Sequence, residues 1–247
     1  MKIQTLLALF LICLILFTQS IFSQNRKYLY GGFEAEILKE SEPLNLIFTD
    51  FNTFHDQSDI QTNQKPLMPM YVPGFMIGSK IHVRFSEFGG NVHFMRYATL
   101  AQGIDADGNN YDETLTFMHN GFCLHYSVNF INTNYLRTGP GFGIKLEQYR
   151  IKLTTDEESN FNTEFPTNKA IISGRLNYTI SIGGPKFNLD IVAFYNLPLW
   201  SMNLEVLNQR YNQDYYTDYT TESLDFNPVA YGLAIYIGLG SKENYDF

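Results

Sequence analysis

Gly232-Leu233-Ala234-Ile235-Tyr236-Ile237-Gly238-Leu239-Gly240, read GLAIYIGLG, stands near the end of a 247-residue chain and carries two unlike faces. From Tyr231 onward the odd positions are large and apolar, whereas the even positions are Gly, Ala, Tyr, Gly and Gly. A period of two marks a β-strand whose successive side chains point to opposite sides of a sheet. The apolar side meets either a second sheet or hydrocarbon, and alternation alone does not choose between them.

The same pattern recurs until it has appeared eight times. The first segment sets Leu29, Phe33, Ala35 and Ile37 against Tyr30, Gly32, Glu34 and Glu36; the second sets Phe75, Ile77, Ile81, Val83 and Phe85 against Gly78, Lys80, His82 and Arg84. In the third, Val92, Phe94, Ala98 and Leu100 oppose Asn91, His93, Tyr97 and Thr99, with Arg96 on the apolar side. The fourth opposes Phe122, Leu124, Tyr126, Val128 and Phe130 to Gly121, Cys123, His125, Ser127 and Asn129; the fifth opposes Leu136, Phe142, Ile144 and Leu146 to Arg137, three glycines, Lys145 and Glu147. The sixth and seventh carry Arg175 and Asp190 on their polar sides, and the opening segment is the eighth. Short connections, read at Ser86 to Gly90, Ile131 to Asn134 and Gly183 to Lys186, alternate with long ones, read at Glu40 to Met70, Ala101 to Glu113, Leu153 to Asn168 and Leu197 to Asn227. Short Gly- or Asn-bearing turns suit hairpins. Several long loops are uncommon in a compact soluble domain but usual on one side of a bacterial transmembrane barrel.

Composition agrees with an all-β chain: 45% of residues are hydrophobic, 16% aromatic and only 17% charged. Lys2 and the apolar run Leu6 to Phe17, followed by Ser20 to Gln24, read as a secretory signal peptide over residues 1–23, leaving 24–247 as one barrel domain. Removing 1–23 leaves a single cysteine, Cys123, so no intramolecular disulfide is expected. Charge is sorted by position: the four long connections hold eighteen of the 25 Asp and Glu residues, against only Lys65 and Arg210. The inward candidates nearly balance, with Glu34, Glu36, Glu147 and Asp190 beside Lys80, Arg84, Arg137, Lys145 and Arg175. Inside a narrow barrel such charges must pair, because isolated buried charges are costly. Aromatic residues near strand ends, among them Phe85, Phe130, Tyr135, Phe187, Tyr195, Trp200 and Tyr231, suit interfacial girdles.

Taken together, residues 27 to 240 resemble the small eight-stranded outer-membrane barrels of bacteria, comparable to the OmpA-type transmembrane domain and the PorT-like barrels of Bacteroidota. Gly232 to Ile237 is similar to the last-strand signal read by the barrel insertion machinery, although Ser241 to Asp246 separate that strand from the terminal Phe247. The resemblance implies an antiparallel up-and-down barrel with short periplasmic turns and long extracellular loops. It also implies outer-membrane lipids as neighbours, and another outer-membrane or periplasmic protein as partner.

Chemistry is sparse. Asp105, Asp107 and Asn109 resemble the start of an acidic calcium loop but lack its third ligand before the Gly and its distal Glu. His82, His93 and His125 fall on inward faces, and Ser127, His125 and Glu147 raise the possibility of a nucleophilic triad, though no G-x-S-x-G elbow is present. No cofactor fingerprint or basic nucleic-acid patch occurs. Eight strands leave an interior just filled by side chains, which disfavours a pore. Phe48, Phe51, Phe54, Tyr211, Tyr215, Tyr216 and Tyr219 crowd two acidic loops and suit a contact surface. The expectation is a non-enzymatic accessory subunit of an outer-membrane assembly; a lipid-modifying enzyme and a soluble β-sandwich binding module are the alternatives.

Overall fold

The computed structural model describes residues 26–39, 44, 61–62, 70–83, 85–104, 110–155, 163–166, 170–203 and 225–240. Eight long strands follow one another: β1 (Arg26–Leu38), β2 (Met70–Val83), β3 (Ser86–Ile104), β4 (Asn110–Val128), β5 (Leu136–Thr155), β6 (Ile171–Gly183), β7 (Phe187–Pro198) and β8 (Ala230–Gly240). Each pairs antiparallel with the next, and β8 pairs with β1 to close the sheet. The expected eight-stranded up-and-down barrel is therefore what forms. Closure leaves the barrel wall no free edge, which a sheet in hydrocarbon requires.

The register sets the barrel's width. Pairs traced from Leu38 through Ala230, Asn196, Arg175, Gly143, His125, Gly89 and Lys80 return to β1 at Tyr28, ten residues before the start. A stagger of that size tilts eight strands by roughly 35–45° and leaves an interior that side chains fill.

The two faces are inverted relative to a soluble protein. Phe33 is 78% exposed, and Leu233, Ile235, Ile237 and Leu239 are each more than half exposed. Glu34, Glu36, Lys145, Glu147, Arg175 and Asp190 are all at least 96% buried. The described outward positions of β6, β7 and β8 carry no charged residue. Phe85, Phe130, Tyr135 and Phe187 stand exposed at the short-turn end, and Tyr71, Tyr195, Trp200 and Tyr231 at the other. Two aromatic belts bounding an apolar band are what lipid interfaces select. The β-sandwich alternative fails here, because it requires the apolar faces to meet one another in a dry centre.

Two boundaries differ from the sequence reading. The connection read at Ser86 to Gly90 belongs instead to β3, which starts immediately after the turn residue Phe85. Gly89 looked like a turn residue but is a wall residue: a Cβ there would lie 2.4 Å from His125 Nε2. The connection read at Ala101 to Glu113 is mostly strand, with β3 and β4 pairing as far as Ile104 and Asn110. Beyond the hydrocarbon no lipid demands an apolar outward face, so the two-residue period fades while the strands continue. The turn at Gly183 is as read, and its φ of 139° is one that favours glycine.

Candidate functional site

The inward positions of opposite walls meet on the barrel axis. Lys145 on β5 reaches across to β1, placing Nζ 2.6 Å from Glu36 Oε1, 3.8 Å from Glu34 Oε1 and 2.9 Å from its own strand's Glu147 Oε1. Arg175 on β6 donates to Glu34 Oε1 at 2.9 Å while its guanidinium stacks 3.8 Å from the centre of the Phe194 ring. Room for that ring comes from Gly232, where a Cβ would sit 2.6 Å from Phe194 Cζ. Asn196 donates to Glu36 at 2.8 Å, and Tyr236 donates to Glu34 at 3.3 Å. His119 hydrogen-bonds Glu147 through Nδ1 at 3.2 Å, and its Nε2 lies 3.3 Å from Glu36 Oε2 without a hydrogen bond.

A second cluster lies toward the short turns. Lys80 bridges Asp190 and Glu87, the latter at 3.2 Å. His82 Nε2 approaches Glu87 at 2.9 Å, and His125 Nε2 lies 3.7 Å from the same carboxylate. Ser181 donates to Asp190 at 2.6 Å, and Asn188 donates to it as well. Between the clusters pack Tyr30, Met76, Val192, Phe194, Ala234 and Tyr236. A cavity of about 20 Å³ remains there, lined by residues including Asn91, Cys123 and Thr179, which is room for about one water. At the long-loop end Phe226 packs edge to face on Phe117 and Tyr149, which tilt against each other over the upper cluster, with ring centroids 5.6 to 6.4 Å apart. The described interior is filled and capped.

Of the residues singled out from sequence, Glu34, Glu36, Lys145, Glu147, Arg175 and His93 gather in the upper cluster, and Lys80, His82, His125 and Asp190 in the lower. Arg137 is buried at the short-turn end. Arg84, Asp105, Asp107, Asn109, Phe48, Phe51, Phe54, Tyr211, Tyr215, Tyr216, Tyr219 and residues 1–23 lie outside the described residues. Two members of the network were missed by sequence reading. Glu87 lies in a stretch that reads as a turn, and His119 precedes the fourth alternating segment; both share the inward parity of their strands, which extends four residues back from Asn91 and two back from Gly121.

The structure does not assemble Ser127, His125 and Glu147 into a triad. His125 pairs in register with Gly143, four residues along β5 from Glu147, a separation of roughly 13 Å. Its carboxylate neighbour is Glu87. His93, His119 and Glu147 do place their donor atoms within 4.8 Å of one another. The ammonium of Lys145, 2.9 Å from Glu147 Oε1, stands beside the atom a metal ion would need, so the trio reads as an ion-pair hub.

Closed wall, inverted faces and a packed polar interior are the attributes of the barrels that bacterial outer membranes contain. The protein is an outer-membrane β-barrel. No protein-family profile and no curated protein matches its sequence. Among solved structures the barrel is similar to Ail, the attachment invasion locus protein of Yersinia pestis. In complex with the heparin analogue sucrose octasulfate the identity is 8% and the TM-score 0.41, covering 88% of this chain and 99% of that one. For Ail alone the values are 10% and 0.40, with the same coverage. Neisserial surface protein A gives 10% and 0.39, over 87% of this chain and 95% of that one. Membrane placement rests on the inverted faces and not on these likenesses.

The barrel holds Cys123 on its inward face at 1% exposure. A maleimide added to the folded barrel in detergent is expected to leave this thiol unlabelled, with full labelling once heating in SDS has opened the wall. Gel-shift labelling before and after heating checks this, and rapid reaction of the folded form would show that the interior is open.

Proposed function

We propose that the barrel is a non-enzymatic accessory subunit that presents a contact surface to another envelope protein. The observation that carries this reading is the inequality of the strands. β3, β4 and β5 run for 19, 19 and 20 residues, whereas the other five have 11 to 14. Six extra residues add roughly 20 Å of strand. Pairing of β3 with β2 ends at Met95, and pairing of β5 with β6 ends at Glu147. Above those points the three strands continue as a sheet of their own, edged by Gln61–Thr62 on β3 and Thr163–Pro166 on β5.

A sheet standing outside the membrane contributes nothing to closing the barrel, so its length favours contact as its purpose. His93 and His119 are fully buried in an interior that the described residues fill, which weighs against the lipid-modifying alternative. A photo-cross-linking amino acid placed at Ala98 or Thr154, on the outward side of the protruding sheet, is expected to capture a discrete protein in intact cells. The same probe at lipid-facing Ile235 is expected to capture none. Equal yields from all three positions, or protein adducts from none, would remove the partner reading.

A further inference from the structure

The short-turn end of the barrel carries a cation that the networks above it leave unanswered. Arg137 is the first inward residue of β5, is 4% exposed and stands opposite Ser181 of β6 in the register. Neither of its terminal nitrogens has a hydrogen-bond partner among the described residues. Asn129, which continues the inward face of β4, is likewise buried with its amide nitrogen lacking an acceptor. The two are neighbours on the wall, because Gly139, the next inward position of β5 above Arg137, would place a Cβ 3.0 Å from Asn129 Cα. Isolated buried charges are costly, and Lys80, Lys145 and Arg175 each lie beside carboxylates.

The stagger decides what shares Arg137's level. His82, Glu87, Ser127 and Gly141 stand in one register row across β2 to β5. Ten residues of stagger over eight strands amount to nearly four over the three steps from β2 to β5, so Arg137, four residues below Gly141, is level with His82 on the axis. The same reckoning brings Asn129 to that height. Tyr28 packs edge-on against His82 with ring centroids 5.1 Å apart and donates to Gly184 O at 3.2 Å. The two acids of the lower cluster, Glu87 and Asp190, are engaged by Lys80, Ser181 and Asn188. At the rim, Arg26 and the exposed Lys186 add positive charge, and the described short connections contain no Asp or Glu. An anion approaching this end meets a favourable field.

Donors without acceptors behind a positive rim suit an oxyanion. We propose that the short-turn mouth binds one carboxylate, gripped by the two terminal nitrogens of Arg137 and completed by the Asn129 amide. A planar guanidinium matches the two oxygens of a carboxylate with parallel hydrogen bonds. One guanidinium beside a neutral amide balances one negative charge. A phosphate dianion brings a second, and Lys80 is already held by Glu87 and Asp190. Two sources lie within reach. One is the chain's own Glu243 or Asp246, which follow β8 in the sequence. Gly240 is at this mouth, where its Cβ would lie 3.0 Å from Tyr28 Cε1. Three strand spacings, roughly 14 Å, separate β8 from β5, and three to six extended residues cover roughly 10–20 Å. The other source is a carboxylate arriving from the periplasm. The inference does not rest on the partner-contact reading, which concerns the opposite end.

The test uses the full chain folded in detergent with isotope-labelled arginine, read by NMR. The Arg137 side-chain resonance is identified by its absence in Arg137→Gln or, should that variant fail to fold, in Arg137→Lys. It is followed while sodium acetate or sodium chloride is added at matched ionic strength. In the wild type, acetate is expected to shift the resonance saturably and to bind about tenfold more tightly than chloride. Where the chain's own carboxylate holds the site, the wild type stays unmoved and the Glu243→Gln/Asp246→Asn variant acquires the same response, which upholds the site and names its source. A resonance that responds to acetate in neither chain, or to chloride as strongly as to acetate, overturns the proposal and leaves water to complete the guanidinium.

Discussion

Lys145→Met is expected to cost the barrel about 3–5 kcal/mol, the range for breaking a buried ion pair by removing one partner. Lys145 is fully buried and lies within 4 Å of Glu34, Glu36 and Glu147. Taking away its charge leaves three carboxylates around the axis with Arg175 as their remaining guanidinium partner, beside the neutral donors Asn196 and Tyr236 and the imidazoles of His93 and His119. Methionine keeps most of the volume, so the loss measures charge and not cavity. Urea titration of the barrel refolded into lipid vesicles, read by heat-modifiable gel mobility, gives the number. Pairing the change with Glu36→Gln restores part of the balance, and the double variant is expected to recover more than half of the loss. A cost below about 1 kcal/mol, the scale of an exposed ion pair, would mean that water reaches this cluster and the interior is not closed.

Ile235→Arg, the second large effect, tests the opposite face. Ile235 sits at the middle of β8, 53% exposed, between Leu233 and Ile237 on the same side. If hydrocarbon covers that side, an arginine at the midplane costs about 2–4 kcal/mol. On a water-facing sheet the same substitution stays within about 0.5 kcal/mol. Tyr236→Phe on the neighbouring inward position removes only one hydrogen bond, to Glu34, and serves as the control at about 1 kcal/mol. The order Ile235→Arg above Tyr236→Phe is the expected result in vesicle-refolding titrations, and its reversal would remove lipid from the outer wall.

The parity of nearly every strand residue was readable before any coordinates, because a period of two assigns each side chain to one face once the strand is recognised. Glu34, Glu36, Lys80, His93, Lys145, Arg175 and Asp190 could be placed on one side for that reason alone. Strand ends were less legible. Gly89 and Gly90 carry a turn's composition while serving as wall, and residues 96–104 and 110–119 pass out of the band in which lipid enforces alternation. Hence Glu87 and His119 were overlooked, and the protruding sheet with them.

What the chain determined by itself is therefore local: which segments are strands, which side chains share a face, and that one face is greasy enough to need a cover. Partnership across the barrel belongs to the tertiary structure. Lys145 meets Glu36 from 109 positions away, and His119 rather than His125 meets Glu147, because a stagger of ten residues brings those rows to the same height on the axis. Nothing in alternation encodes that stagger. It arises only when β8 finds β1 and the closed wall holds the register in which Lys80, Lys145 and Arg175 lie beside their carboxylates.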